Sequence, residues 1–241
     1  MGWDERIRNW LDRGRYRAFE TRWDDRLLRA AVLREIGPDK DLLDLGAGAG
    51  IVPEMNFKGH ARRVCGVDPD PRVAANPNLD DGREGIGESI PYADASFDVV
   101  VSDNVLEHLD DPVSVFREVR RVLRPGGVFL AKTPNRWHYV ALGASITPHS
   151  FHRKFNEARG RASVDTFPTR YRANSRGQLA RIARDAGLEL VSVDFFEGRP
   201  EYLRRWGALY LLGAVYEWIV NSTRLLAPVR VVLIAKLRKP D

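Results

Sequence analysis

Apolar residues recur along this chain in two rhythms. From residue 3 to 36 they fall at helical spacing among charges, with Trp3, Trp10, Phe19, Trp23, Leu27 and Leu28 as the apolar positions. "GPDKD" at 37–41 stops that region. Beyond it, short apolar runs alternate with helical patterns. "DLLDLGAG" (41–48) reads as a first strand, "RRVCGVDPD" (62–70) as a second, a weaker run near Arg83–Glu88 as a third and "SFDVVVSDNV" (96–105) as a fourth. The stretch 110–127 predicts an amphipathic helix, with Asp110 or Asp111 as cap, Pro112 near its first position and Gly126-Gly127 as its stop. "GVFLAKTPN" (127–135) is a fifth strand. Residues 174–196 predict a helix capped by Asn174 or Ser175 and ended by Gly187, then a sixth strand; "VRVVLIAKLRK" (229–239) is a seventh. Strands separated by helical patterns imply an α/β protein, a mostly parallel sheet with helices on both faces.

The same pattern divides the chain. Residues 1–40 form an N-terminal helical cap and 41–241 the main domain. Residues 136–173 have no clear period and hold aromatics, histidines and arginines, so they read as an insertion. The segment 202–221, "YLRRWGALYLLGAVYEWIVN", is an apolar helix with no charge from Trp206 to Tyr216. It is too short to span a bilayer, and Glu217 interrupts it. Burial, homodimer formation and peripheral membrane contact are all open for it, because Arg204 and Arg205 flank the apolar run.

Composition adds limits. The apolar share of 44% suits a globular protein. The single cysteine, Cys65, excludes an internal disulfide and a cysteine-based metal cage, so no metal is expected. The charged start "MGWDERIRNW" has no apolar leader, which suggests a cytoplasmic protein, with peripheral contact at the inner face of a membrane as a variant of that reading. The net charge of +5 is uneven: residues 136–184 carry 10 basic side chains against only Glu157 and Asp165. A block of that kind suits an anionic partner; the alternative is a basic face that meets only water.

The first strand runs into Asp44-Leu45-Gly46-Ala47-Gly48-Ala49-Gly50, a loop almost bare of side chains. A dinucleotide fold would place glycines at the first, third and sixth positions, yet the sixth from Gly46 is Ile51. A phosphate-cradling loop would need Lys-Ser or Lys-Thr, and neither is present here. The D-x-G-x-G-x-G form instead resembles motif I of the class I S-adenosylmethionine-dependent methyltransferases. "VCGVDPD" then ends in Asp68, where a carboxylate can accept both hydroxyls of a ribose. "GESIPYADASFDVVVSDNVLEHLDDP" (87–112) and "LRPGGVFLAKTPN" (123–135) resemble the later motifs of the same family. The chain is most similar to the members that include ubiquinone and menaquinone biosynthesis enzymes.

That resemblance implies a doubly wound, Rossmann-like, seven-stranded sheet whose last strand is antiparallel, and S-adenosyl-L-methionine as cofactor. It places Gly46, Ala47, Gly48 and Gly50 along the methionine part, with Asp44 shaping the loop beneath. It places Asp68 on the ribose, Pro69 beside the adenine and Asn104 near the sulfonium. The family's acidic contact to the adenine amine falls at Ile86, so Ile86 and Gly87 are expected to meet the purine by packing and backbone, and Glu88 is a substitute acceptor. Methyl transfer is an in-line displacement that depends on alignment, and a hydroxyl acceptor adds the need for a base. His149 and His138, in the insertion, are the candidate catalytic residues; His108 suits a structural role near Asn104. The expected acceptor is a small or lipid-linked anionic molecule, methylated on oxygen. The alternatives are a nucleic-acid methyltransferase, disfavoured because "SDNV" stands where "NPPY" or "DPPY" would, and a cofactor-binding subunit without catalysis.

Overall fold

The computed structural model describes residues 2–19, 21–146 and 168–241, without the side chains of 144–146. Seven strands form one sheet: β1 (Asp41–Leu45), β2 (Arg63–Asp68), β3 (Asp81–Glu84), β4 (Phe97–Asp103), β5 (Leu123–Pro134), β6 (Glu189–Phe196) and β7 (Val232–Arg238). Their order is β3-β2-β1-β4-β5-β7-β6. All pairings are parallel except those of β7, which is antiparallel to β5 and to β6. The chain winds outward from β1 to β3, then returns to β4 beside β1, so strand order reverses between β1 and β4. Every residue of β1 is buried, as a central strand covered on both faces requires.

Alternate residues serve the two faces, following the pleat. On one face Leu43, Leu45, Val100, Phe129 and Ala131 pack with Val115, Phe116 and Val119 of α3 (Pro112–Val122) and Leu179 and Ile182 of α5 (Arg176–Ala186). On the other, Leu42, Val99, Val101, Leu130 and Ile234 pack with Leu28 and Val32 of α2 (Trp23–Val32) and with Met55 and Phe57. Thus α2 provides cover that the β1–β2 crossover does not. That crossover and the next hold only 3-10 turns, Pro53–Met55 and Pro71–Ala75. Strict alternation of strands and helices therefore fails on this side. Pro53, Pro69, Pro71 and Pro77 interrupt both connections and prevent continuous helical hydrogen bonding.

Other boundaries also shift. The helical pattern over 3–36 resolves into two helices, α1 (Trp3–Arg13) and α2. The third strand is Asp81–Glu84, paired with Cys65–Asp68, and lies earlier than Arg83–Glu88. α3 stops at Val122, before Gly126-Gly127, and leads directly into β5. Pro125 bars Arg124 from helical geometry, which ends the helix before the glycines are reached. Caps resolve as well: Asp111 accepts from the Ser114 N–H at 3.2 Å, and Ser175 from the Gln178 N–H at 3.3 Å. Gly187 closes α5 at φ +74°.

α4 (Tyr139–Ile146) follows β5, and α6 (Gly207–Ser222) links β6 to β7. α6 packs on α1 through Tyr210 and Ala214 against Leu11 and Tyr16. Polar contacts flank this small core. Asp12 accepts from Tyr210 Oη at 2.7 Å and from Arg204 at 2.7 Å. Glu217 accepts from Arg15 at 2.6 Å and from Tyr16 Oη at 3.0 Å. Among the described residues no helix is long and apolar enough to cross a membrane.

Candidate functional site

The strand reversal leaves a crevice beyond the carboxyl ends of β1 and β4, where ligands of open α/β sheets bind. The loop after β1 enters it with Gly46, Gly48 and Gly50 all at positive φ (+86°, +50° and +74°). A Cβ on Gly46 would lie 2.2 Å from Val105 Cγ2, and one on Gly50 would lie 2.2 Å from Asn76 Oδ1. Both glycines are therefore demanded by the fold. Gly48 differs: a Cβ there meets only Asp68 Oδ2, at 3.9 Å. Its bareness leaves an open approach to the backbone beside a carboxylate.

Asp68 ends β2 and faces this opening. Its Oδ2 accepts the Gly48 N–H at 2.9 Å, and its Oδ1 accepts the Asp70 N–H at 2.8 Å. Each oxygen keeps a further lone pair, so a vicinal diol has two acceptors held in place. The loop is supported from beneath by two side chains that sequence reasoning passed over. Asn76 Nδ2 donates to the carbonyls of Ala47 (2.9 Å) and Gly48 (3.1 Å), and Asn78 Nδ2 donates to that of Gly50 (3.2 Å). Their signal was the "NPN" at 76–78, two amides around a proline, too short to stand out from any other turn.

The remaining predicted cofactor residues divide. Pro69 and Asn104 are exposed at the ends of β2 and β4, and Asn104 takes φ +54° with its N–H on the Lys132 carbonyl at 3.0 Å. Ile86 is 51% exposed beyond β3, which leaves an apolar surface without a carboxylate at that position. Gly87 packs against α3, where a Cβ would come within 3.1 Å of Val115. Glu88 is half-buried.

Below the loop lies a concentration of acid. Asp44 is buried, and its carboxyl is pushed up to about 8 by burial first, with Asp103 and Asp68 adding repulsion. Lys132, fully buried in β5, sits 2.8 Å from Asp103 and 2.9 Å from Asp24, and also contacts Asp25. These carboxylates hold the ammonium firmly protonated against the opposing effect of burial. Asp24 and Asp25 come from the first turn of α2, so the N-terminal helices are tied to the crevice by charge as well as by packing. One cation among several acids leaves a negative field, suited to a cationic ligand.

His149 lies outside the described residues. His138 is 2% exposed, enclosed by Tyr139 and Tyr216 with ring centroids at 4.0 and 5.6 Å. Its Nε2 lies 3.4 Å from Glu197 Oε2 and outside hydrogen-bond geometry. Burial lowers the imidazole and raises the Glu197 carboxyl, which favours the neutral form of both. His108 is anchored, its Nδ1 3.0 Å from the Pro168 carbonyl.

Both roots of the 136–173 segment converge on the same edge. The Arg136 N–H donates to Asn174 at 2.9 Å, and the Arg170 and Tyr171 N–H groups donate to the Glu107 carbonyl at 2.6 and 3.2 Å. Beneath them Asn174 Nδ2 donates to Thr133 Oγ1 (2.6 Å), which donates to Glu107 Oε2 (3.0 Å). Arg170 also pairs with Asp110 at 3.0 Å. The segment therefore leaves and rejoins the fold beside Leu106–His108, next to Asn104.

Comparison with known proteins bears on this geometry. Residues 43–131 match the family described as methyltransferase domain. A stretch of the chain is 40% identical over 125 residues to a probable S-adenosylmethionine-dependent methyltransferase of Mycolicibacterium smegmatis, covering 49% of this chain and 48% of that one. The chain thus spans about half the length of that relative, and 36% of another mycobacterial methyltransferase. A ubiquinone biosynthesis O-methyltransferase of Pseudomonas paraeruginosa is 28% identical over 74% of this chain and 83% of its own length. Among solved structures, an S-adenosylmethionine-dependent methyltransferase from Mesorhizobium loti superposes with a TM-score of 0.57 at 19% identity, over 88% of this chain and 98% of that one. The matched residues contain most of β1, all of β2 to β4 and α3 and most of β5, and with them the glycine loop, Asp68 and Asn104.

Proposed function

We propose that the chain is an S-adenosylmethionine-dependent methyltransferase acting on oxygen of a small or lipid-linked anionic acceptor. One observation carries the cofactor: Gly48 is open to a ligand while its amide holds Asp68, whose two oxygens face the same opening. The residues present fit the cofactor part by part. Asp68 accepts the ribose hydroxyls, the bare loop lets the methionine chain approach, and Ile86 offers a flat apolar contact to the purine. Asp103 and Asp68 favour the cofactor's positive charges. When bound, S-adenosylmethionine supplies an electrophilic methyl group on a sulfonium. The chain's own residues orient that group toward Asn104 and the roots of the 136–173 segment.

The acceptor reading rests on charge and position. The basic segment is rooted beside Asn104, and its excess of arginine and lysine suits an anion. A base for a hydroxyl acceptor is best sought in that segment, with His149 as candidate, since His138 is enclosed and neutral. Titration calorimetry with S-adenosylmethionine, followed by transfer of a labelled methyl group to anionic phenols and isoprenoid lipids, tests both parts. Absence of cofactor binding overturns the whole reading; transfer to RNA alone overturns the acceptor.

A further inference from the structure

α6 is about 24 Å long at helical rise and is buried along one side only. Gly207, Tyr210, Gly213, Ala214 and Val220 face inward. The opposite face carries Leu209, Leu211, Leu212, Val215, Trp218 and Ile219, each between 40% and 64% exposed. No charged residue belongs to that face. The helix's one acid, Glu217, is engaged by Arg15 and Tyr16 of the neighbouring segment. Beyond the two ends stand Arg205 and Arg224, both exposed and without an ion pair among the described residues. On α1, in the same layer, Trp3, Arg6, Trp10 and Arg13 recur at helical spacing, with the two tryptophans 64% and 67% exposed.

We infer that the outer face of α6 lies on an anionic lipid surface. An apolar stripe with a cation at each end matches a layer of acyl chains beneath negative headgroups. An indole ring such as that of Trp218 suits the boundary between the two. The main rival, a second copy of this chain, is disfavoured by charge. Any two-fold pairing along α6 places arginine ends against arginine ends, in either helix direction, with no acid on the face to separate them. The helix lies flat on this reading, because its inner side is fixed to α1 and its length falls short of the roughly 30 Å of a hydrocarbon core.

The position gives the contact a use. β6 ends and β7 begins at the carboxyl edge of the sheet, so α6 sits at the edge that carries the crevice. Tyr216 of α6 contacts Tyr139 and His138 at the root of the 136–173 segment, with ring centroids at 5.0 and 5.6 Å. Docking on α6 therefore brings that root close to lipid. The inference does not rest on the methyl-transfer reading, since binding to lipid is measured without it.

The test is sedimentation with phosphatidylcholine vesicles, with and without phosphatidylglycerol, alongside light scattering and thermal unfolding. The wild-type chain should sediment with the anionic vesicles and be released by high salt. Leu212→Glu with Trp218→Glu should lower partitioning by about a hundredfold, since two exposed apolar anchors are lost. Their exposure predicts an unchanged thermal transition. Arg205→Ala and Arg224→Ala, which alter no apolar contact, should each lower it by about fivefold on anionic vesicles. Failure of the wild type to bind, equal binding to neutral vesicles, or arginine variants that bind like wild type would overturn the inference. So would a wild-type dimer that the Leu212/Trp218 variant converts to monomer.

Discussion

The crevice beside β1 and the α1–α6 layer are finished in opposite ways. In the crevice the chain exposes backbone and carboxylates: Gly48 is open, and Asp68 is held by two amides with capacity left over. In the helical layer Asp12 and Glu217 gather polar contacts between α6 and the N-terminal segment, and the outer face of α6 is apolar. A cleft of the first kind suits a small polar cation, since preset hydrogen bonds and a negative field select it without reorganisation. A surface of the second kind has no polar group with which to select a solute. It suits an extended apolar phase, and its arginine ends set the sign of the charge it meets.

The largest expected effect comes from closing the crevice. Gly48→Val adds a side chain at φ +50°, in the space left for the ligand, and should weaken S-adenosylmethionine binding by about a hundredfold or more in calorimetry. Vesicle binding should be unaffected, which separates the two regions. Next, Asp68→Ala should cost about 1.5–3 kcal/mol of cofactor binding, the usual loss for hydrogen bonds to a charged group. Wild-type affinity in both variants would refute the site.

Smaller effects address the other region and the floor of the crevice. Asp12→Ala leaves Tyr210 and Arg204 without their shared acceptor and should lower stability by about 1–2 kcal/mol in urea denaturation. Cofactor affinity should hold, unless the two regions are coupled. Asp44→Asn should raise stability by about 1–2 kcal/mol at neutral pH. The sign follows from linkage: the folded carboxyl titrates at about 8, above its unfolded value, so the native fold retains a proton that the unfolded chain gives up. Stability therefore falls as pH rises from the ordinary carboxylate range toward 8, and the gain from asparagine should vanish in acid. A gain that persists at about pH 4 would mean that the charge of Asp44 is not its cause.

Local chemistry was open to reading wherever it depends on near neighbours in the chain. β1, β2, β4 and β7 are dense apolar runs, Gly187 and Pro112 mark helix ends, and the glycine loop with Asp68 follows from strand–turn spacing alone. Readings failed where one local signal outweighed another, as when Pro125 stopped α3 before the glycines. They also failed where a partner is distant. Asn76 and Asn78 support the glycine loop from roughly thirty residues away, and nothing in their own neighbourhood marks that role.

The sequence by itself determined the α/β class, the bare loop, the acid at the end of the second strand and the apolar character of 202–221, because each is a matter of periodicity or residue type over a short span. Only the tertiary structure decided which groups became neighbours. It set Lys132 among acids from α2 and β4, enclosed His138 beside Glu197, and assigned α2 to cover the face that the early crossovers leave bare. It also decided which side of α6 meets α1 and which remains outside. Burial and long-range ion pairing depend on how the whole chain packs, and a residue's own neighbours in sequence carry no record of that.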